Sequence, residues 1–195
     1  LGAYVELHRN GIIHGDVHPS NVLIDEAGRV TVLDYGGARL PIAPFGDRRV
    51  GLVAYYEPET AQRVPDGHAP PPPTEAGEQY AVAVLAYLVV TRGMYIPLSL
   101  ETERSLRQIV EMKPRPFRDM HLTWPEVEQA LFRALEKNPR HRYGTFEEFA
   151  ACFAAAVEAS KPGREGDAPS PSAGGEVGAR SVLPAFERCA DRVLD

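Results

Sequence analysis

The chain has 195 residues, 44% hydrophobic and 25% charged, with a formal net charge of −6. Those proportions suit one globular domain with short additions rather than a disordered or fibrous chain. The acidic balance leaves no electrostatic footprint for nucleic acid, and the two cysteines, Cys152 and Cys189, make neither a disulfide framework nor a metal-spaced cluster.

Residues 1–10 read as the end of a helix that Asn10-Gly11 terminates, because glycine relieves the left-handed cap position. Ile12-Ile13, a short strand-like pair, leads into the run His14-Gly15-Asp16-Val17-His18-Pro19-Ser20-Asn21. Val22-Leu23-Ile24-Asp25 and Arg29-Val30-Thr31-Val32-Leu33 are β-rich runs around Glu26-Ala27-Gly28, a hairpin pattern. Asp34-Tyr35-Gly36 follows directly, so the hairpin is expected to bring Asp16, Asn21 and Asp34 to one mouth. Residues 37–59 are irregular and end in Tyr55-Tyr56-Glu57-Pro58-Glu59.

Residues 64–77 hold four consecutive prolines, Pro70 to Pro73, and read as an exposed extended loop, a solvated spacer rather than a recruiting motif. A helix is expected over 79–91, closed by Arg92-Gly93. The apolar run from Tyr80 to Val90 within it is about half a bilayer span and reads as buried core. Amphipathic helices follow over 100–111, 125–136 and 145–159, the last with Thr145 and Glu148 as a capping box. Residues 159–180, rich in Ser, Pro, Gly and Ala, read as a disordered linker. Val182, Phe186, Cys189 and Val193 mark a short amphipathic helix within 181–195, where a further domain would begin. No basic segment with an apolar stretch opens the chain, so no secretory signal is expected, and a reducing cytoplasm fits. The first residue is Leu1 rather than Met, which suggests a piece of a longer reading frame. The pattern specifies no oligomeric state.

The chemistry concentrates in the first 36 residues. Phosphoryl transfer from Mg-ATP needs one carboxylate beside the attacking hydroxyl and oxygen ligands for the metal that neutralises phosphate charge. Asp16, Asn21 and Asp34 supply those groups in the required order. Several neighbours take plainer readings. His14 alone is a packed, hydrogen-bonded core histidine, and His18 lacks a second ligand at transition-metal spacing. Asp25, Glu26 and Asp47 are solvated loop carboxylates. Tyr80 and Tyr87, one heptad apart, belong to the core.

Taken together, these elements resemble the large helical C-terminal lobe of eukaryotic-like protein kinases over residues 1–158. His14-Gly15-Asp16 stands where that family has His-Arg-Asp, Asp34-Tyr35-Gly36 where it has Asp-Phe-Gly, and Glu57-Pro58-Glu59 where it has Ala-Pro-Glu. Glu78-Gln79-Tyr80 opens what looks like the hydrophobic central helix, usually begun by Asp. Lys137-Asn138-Pro139-Arg140-His141-Arg142 is similar to its Lys-x-Pro-x-x-Arg stretch. The resemblance implies a mainly α fold with a small β-hairpin, an N-terminal lobe missing from the chain, and ATP and magnesium as cofactors. It makes Asp16 the residue that orients the acceptor hydroxyl, with Asn21 and Asp34 on the metal and Leu23 under the adenine. It stacks His14 with Tyr35 and pairs Glu59 with Arg142. A protein or peptide phosphoacceptor follows, with Ser or Thr as acceptor residue.

The pattern is broken in places. Gly15 replaces the Arg that often reads a phosphate in the loop ahead, and residues 37–54 contain no Ser, Thr or Tyr; the two absences agree. His18 replaces the Lys that touches the transferring phosphate, and Leu52 stands where a Thr usually bridges that Lys and the catalytic Asp. There is no Gly-x-Gly-x-x-Gly with a lysine-bearing strand, so the chain alone is expected to be inactive. The wording of the catalytic run is similar to kinase-like domains of lanthionine synthetases, and also resembles aminoglycoside-type small-molecule kinases. Those small-molecule enzymes lack the Ala-Pro-Glu-like element and its Arg partner. A scaffold without catalysis is the third reading, against which the retention of Asp16, Asn21 and Asp34 weighs.

Overall fold

The computed structural model describes residues 1–41, 51–64 and 71–159. Helix α1 (Gly2–Arg9) ends where expected, with Gly11 at φ +70° just beyond its cap. Strand β1 (Val22–Ile24) pairs antiparallel with β2 (Val30–Val32), Val22 facing Val32. The Asp25 carboxylate closes their turn by accepting from the Ala27 and Arg29 amides. The Ile12-Ile13 pair contributes a single bridge, Ile13 to Arg39. The remaining helices are α2 (Pro58–Ala61), α3 (Glu75–Thr91), α4 (Thr102–Glu111), α5 (Pro125–Ala134) and α6 (Phe146–Ala159). Mostly helical content with one two-stranded sheet matches the expected class among the described residues. The expected terminal helix and nearly all of the expected linker lie outside them.

Helix α3 is apolar on nearly every side, and a helix of that kind needs neighbours all round. Tyr80, Ala83 and Tyr87 on it are fully buried. Buried tyrosines need a partner for the hydroxyl; the Tyr87 hydroxyl donates to the Arg115 carbonyl at 2.8 Å, and those of Tyr80 and Tyr95 meet at 3.1 Å. Helices α5 and α6 pack on each other and on α3, and α1 lies against α6. Leu131, Phe146 and Phe149 are fully buried at these seams, each worth about 1.5–3 kcal/mol of transfer free energy.

Two expectations change at the start of α3. The helix begins one turn earlier than predicted, at Glu75, because Thr74 caps it by accepting from the Gly77 amide at 3.0 Å. The prolines before it had hidden that turn. Pro73, expected on an exposed loop, is buried, and its carbonyl accepts from Arg39 at 3.4 Å. At α6 the Thr145 hydroxyl accepts from the Glu148 amide, as a capping box requires. The reciprocal bond reaches one residue further back, to the Gly144 amide.

The predicted pair of Glu59 and Arg142 forms in bidentate geometry, both contacts at 2.8 Å, with the Arg142 side chain fully buried. Next to it Lys137 sends its ammonium to the Ile109 carbonyl at 2.5 Å and the Tyr80 hydroxyl at 3.2 Å, close to the Tyr80 and Tyr95 rings. Burial, reinforced by the Arg142 charge, pushes the Lys137 amine down to about 8. A lysine lowered in the folded state penalises folding fully below its folded value. The penalty fades as pH rises toward the free-lysine value of about 10.4. Above about pH 10 tyrosines of the unfolded chain ionise, whereas burial raises Tyr80 and Tyr95 in the fold, so stability falls again. Urea denaturation is therefore expected to show stability rising between about pH 8 and pH 10, and Lys137→Met should flatten that rise. An unchanged slope in the variant would refute the assignment.

Candidate active site

The run from His14 to Asn21 is held open by a few specific bonds. Gly15 has φ +77°, and a Cβ there would stand 2.6 Å from the Gly37 carbonyl oxygen and 3.0 Å from Pro73. The loop passes so close to its neighbours that a side chain has no room, an independent reason for the missing arginine. The Gly15 amide donates to the Glu78 carboxylate at 2.7 Å, and Glu78 in turn takes His8 Nε2 at 2.8 Å. Sequence reasoning treated Glu78 only as a lengthened Asp and passed over His8. Neither partner lies within sixty residues of the other in sequence, and no local pattern signals the contact.

His14 is fully buried, as its plain reading required. Its Nε2 lies 2.7 Å from the Leu33 carbonyl, and its Nδ1 accepts from the Asp16 amide at 3.3 Å. These partners assign the neutral ring with its proton on Nε2. Tyr35 meets the His14 ring edge-on at 5.1 Å, the contact the resemblance implied, and Tyr4 meets it edge-on at 6.1 Å.

Asp16 is mostly buried, and its two carboxylate oxygens are treated differently. Oδ2 accepts from Asn21 Nδ2 at 3.2 Å, while the same nitrogen also donates to the Asp16 carbonyl at 3.0 Å. Oδ1 is buried with no hydrogen-bond partner among the described residues; His18 Nε2 stands 3.6 Å from it, beyond hydrogen-bond reach. Gly51, at φ +130°, lies under this oxygen so closely that a Cβ would approach it to 2.9 Å. A small cavity between Asp16, Gly51, Leu52, Tyr56 and Pro73 opens there.

Asn21 is buried and ties the loop to the hairpin, since its carbonyl accepts from the Leu33 amide at 2.8 Å. Asp34 is the next residue along and takes left-handed backbone, φ 57° and ψ 84°, with Oδ1 accepting from the Gly36 amide at 3.1 Å. The hairpin thus carries Asn21 and Asp34 to the same end. Leu23, on the hairpin opposite Thr31, is 54% exposed; Ile24 and Val30, paired with each other on the opposite face, and Leu33 and Tyr35 are exposed as well. With its nitrogen committed to Asp16, Asn21 has its amide oxygen without a partner among the described residues, as has one Asp34 oxygen. Two oxygen donors of this kind fit a hard cation such as magnesium. No helix among the described residues is long and apolar enough to cross a membrane.

Comparison with known proteins agrees with the geometry. The protein kinase domain family model matches residues 1–153. The chain is 27% identical over 164 residues to the serine/threonine-protein kinase PrkC of Bacillus subtilis, covering 83% of this chain and 24% of that protein. It is 30% identical over 148 residues to PknL of Mycobacterium tuberculosis (73% and 35%), and 29% identical over 168 residues to PknA of the same species (84% and 36%). It therefore spans about a quarter to a third of the length of these relatives. The crystal structure of the Rad53 kinase domain and SCD2 in complex with AMPPNP superimposes with a TM-score of 0.60 at 19% identity, covering 95% of this chain and 62% of that one. Matched over 153 of its 195 residues, with a kinase-like fold, the chain belongs to the protein kinase domain family.

Proposed function

We propose that this chain is the C-terminal lobe of a protein kinase and catalyses transfer of the γ-phosphoryl group of ATP to a Ser or Thr hydroxyl of a protein or peptide. The observation that carries this reading is Asp16, with one oxygen held by Asn21 and the other buried and without a partner among the described residues. A buried carboxylate oxygen without a donor is costly, and an acceptor hydroxyl relieves that cost. The hydroxyl donates its proton to Asp16 Oδ1 as its oxygen bonds to the γ-phosphorus. The bond from that phosphorus to the β–γ bridging oxygen breaks, and ADP leaves. Asn21 and Asp34 would hold magnesium through oxygen, and the metal would supply neutralisation of phosphate charge. Leu23 offers apolar surface to the adenine. His18 stands where the family places a phosphate-facing lysine.

The relatives are serine/threonine-protein kinases by name, and the Rad53 kinase domain was crystallised with AMPPNP, which supports nucleotide use and a protein acceptor. The exposed apolar residues on and just after the hairpin, among them Leu23 on the face opposite to Ile24 and Val30, fit contact with a nucleotide-gripping lobe. Without such a lobe this chain turns over ATP poorly. The bidentate Glu59–Arg142 pair favours the protein-kinase reading over a small-molecule kinase, and the intact trio of Asp16, Asn21 and Asp34 favours it over a scaffold.

Three measurements on the full-length protein check this. Asp16→Asn should lower kcat by about 10²–10⁴-fold while leaving ATP affinity intact; an unaffected rate would remove Asp16 from the reaction. Asp34→Ala should abolish Mg-ATP turnover, and turnover that persists would refute its role on the metal. Gly15→Arg, which restores the usual family residue, should cost about 1–3 kcal/mol of stability instead of creating a phosphate sensor, read as a lower urea midpoint. A variant as stable as the original would contradict the steric account.

A further inference from the structure

We propose that Pro73 is a specificity-determining plug that keeps water from the acceptor position at Asp16, so that the γ-phosphoryl group passes to an acceptor hydroxyl and is not lost to hydrolysis. Its chemistry rests on the kinase reading above, whereas its packing stands apart from that reading. Among the described prolines of the run, Pro71 is half-buried, Pro72 is exposed and Pro73 is buried. The next residue, Thr74, caps α3 by accepting from the Gly77 amide, which holds Pro73 against the start of that helix. From the other side the Arg39 guanidinium donates to the Pro73 carbonyl at 3.4 Å. Arg39 is itself fixed, because its backbone exchanges two hydrogen bonds with Ile13, at 2.8 and 3.0 Å, directly before His14.

The ring stands where a side chain at position 15 would begin. A Cβ added at Gly15 would meet Pro73 Cγ at 3.0 Å and Pro73 Cβ at 3.3 Å. The same ring lines the cavity beside Asp16, together with Val17, Leu52 and Ala81. These four side chains are apolar and offer none of the polar partners that a buried water requires. The cavity has a volume of about 10 Å³, at the lower edge of what one water needs. Proline suits this place, because its ring has no rotamer freedom to lose on burial.

The consequence is chemical. Asp16 Oδ1 is a buried acceptor without a partner among the described residues, so the hydroxyl that reaches it becomes the nucleophile. With a water there, one water proton passes to Asp16 Oδ1 as the water oxygen bonds to the γ-phosphorus. The bond from that phosphorus to the β–γ bridging oxygen breaks, and ADP and inorganic phosphate leave. Exclusion of water from a site suppresses this kind of side reaction. Pro73→Ala removes the outer ring atoms and enlarges the cavity past the size of one water. Pro73→Val keeps an apolar branch in that space.

The test gives the full-length protein Mg-ATP with no added acceptor and measures inorganic phosphate. Pro73→Ala is expected to release phosphate about tenfold faster than the unaltered protein, the scale of satisfying one buried acceptor. Pro73→Val is expected to stay within about twofold. With a degenerate Ser/Thr peptide mixture added, the phosphate released per phosphate transferred should rise in Pro73→Ala in the same proportion. A role in folding alone lowers both rates together, so an unchanged ratio overturns the proposal, as does equal behaviour of the Ala and Val variants. If Pro73→Ala does not fold, Arg39→Met, at an exposed side chain, takes its place. Loss of the bond to the Pro73 carbonyl should then raise phosphate release about threefold, and no rise overturns the plug. An unaltered protein that turns over no ATP, with or without peptide, refutes the kinase reading and the plug with it; turnover with an unmoved ratio refutes the plug alone.

Discussion

The Arg142 guanidinium has five N–H donors, and in this structure all five are engaged. Nε donates to the Glu136 carbonyl, Nη1 to Glu59 and the Ala76 carbonyl, and Nη2 to Glu59 and the Lys137 carbonyl. Its carbon centre also lies over the Tyr80 ring at 4.9 Å. A buried charge is tolerable only under such complete satisfaction, and removing one partner of a pair like this typically costs about 3–5 kcal/mol. The rest of the structure depends on this because the partners come from separate places: α2, the first turn of α3, and the segment after α5. Hydrophobic contact would hold these elements together at several relative positions. The fixed fork of the guanidinium admits only one.

Fixing the first turn of α3 matters because that turn carries the supports of the catalytic loop. Ala76, whose carbonyl Arg142 holds, lies between Glu75 and Glu78, and Glu78 holds the Gly15 amide. Positioning therefore runs from a buried ion pair, through one helical turn, to the backbone beside Asp16. The other side of the loop is held by the hairpin, through the Leu33 amide on Asn21 and the Leu33 carbonyl on His14. Asp16 is clamped from both sides by bonds to the neighbouring backbone.

How much of this was legible in the sequence divides along contact range. The catalytic run, the hairpin and the helices after residue 78 announce themselves through short-range signals: turn residues between β-branched runs, apolar periodicity, a capping threonine. The pair of Glu59 and Arg142 came from family resemblance. What stayed hidden was every bond made by a chemically ordinary residue across a long stretch of chain, such as His8 to Glu78 or Glu75 to the Phe146 amide. A histidine near a helix end has many plain explanations, and periodicity carries no information about which distant carboxylate it will meet. Pro73 was misjudged for a related reason. Proline marks extended backbone correctly, but its burial against Gly15 is set by tertiary approach.

The departures from the family pattern at the site also become mutually consistent once they are placed in space. Leu52 lines the cavity beside Asp16 and offers no hydroxyl there. A lysine ammonium at position 18 would have lost the hydroxyl that usually shares it. An imidazole is less costly to bury, and its Nε2 lies 3.6 Å from Asp16 Oδ1. Gly15 belongs to the same logic from the opposite side. Its positive φ and the nearness of the Gly37 carbonyl let the loop descend onto Glu78, and the space that an arginine would need is closed by that descent. The site has thus exchanged side-chain cations around Asp16 for backbone anchoring beneath it. In such an arrangement the geometry of the Asp16 carboxylate is set by packing of the helical body.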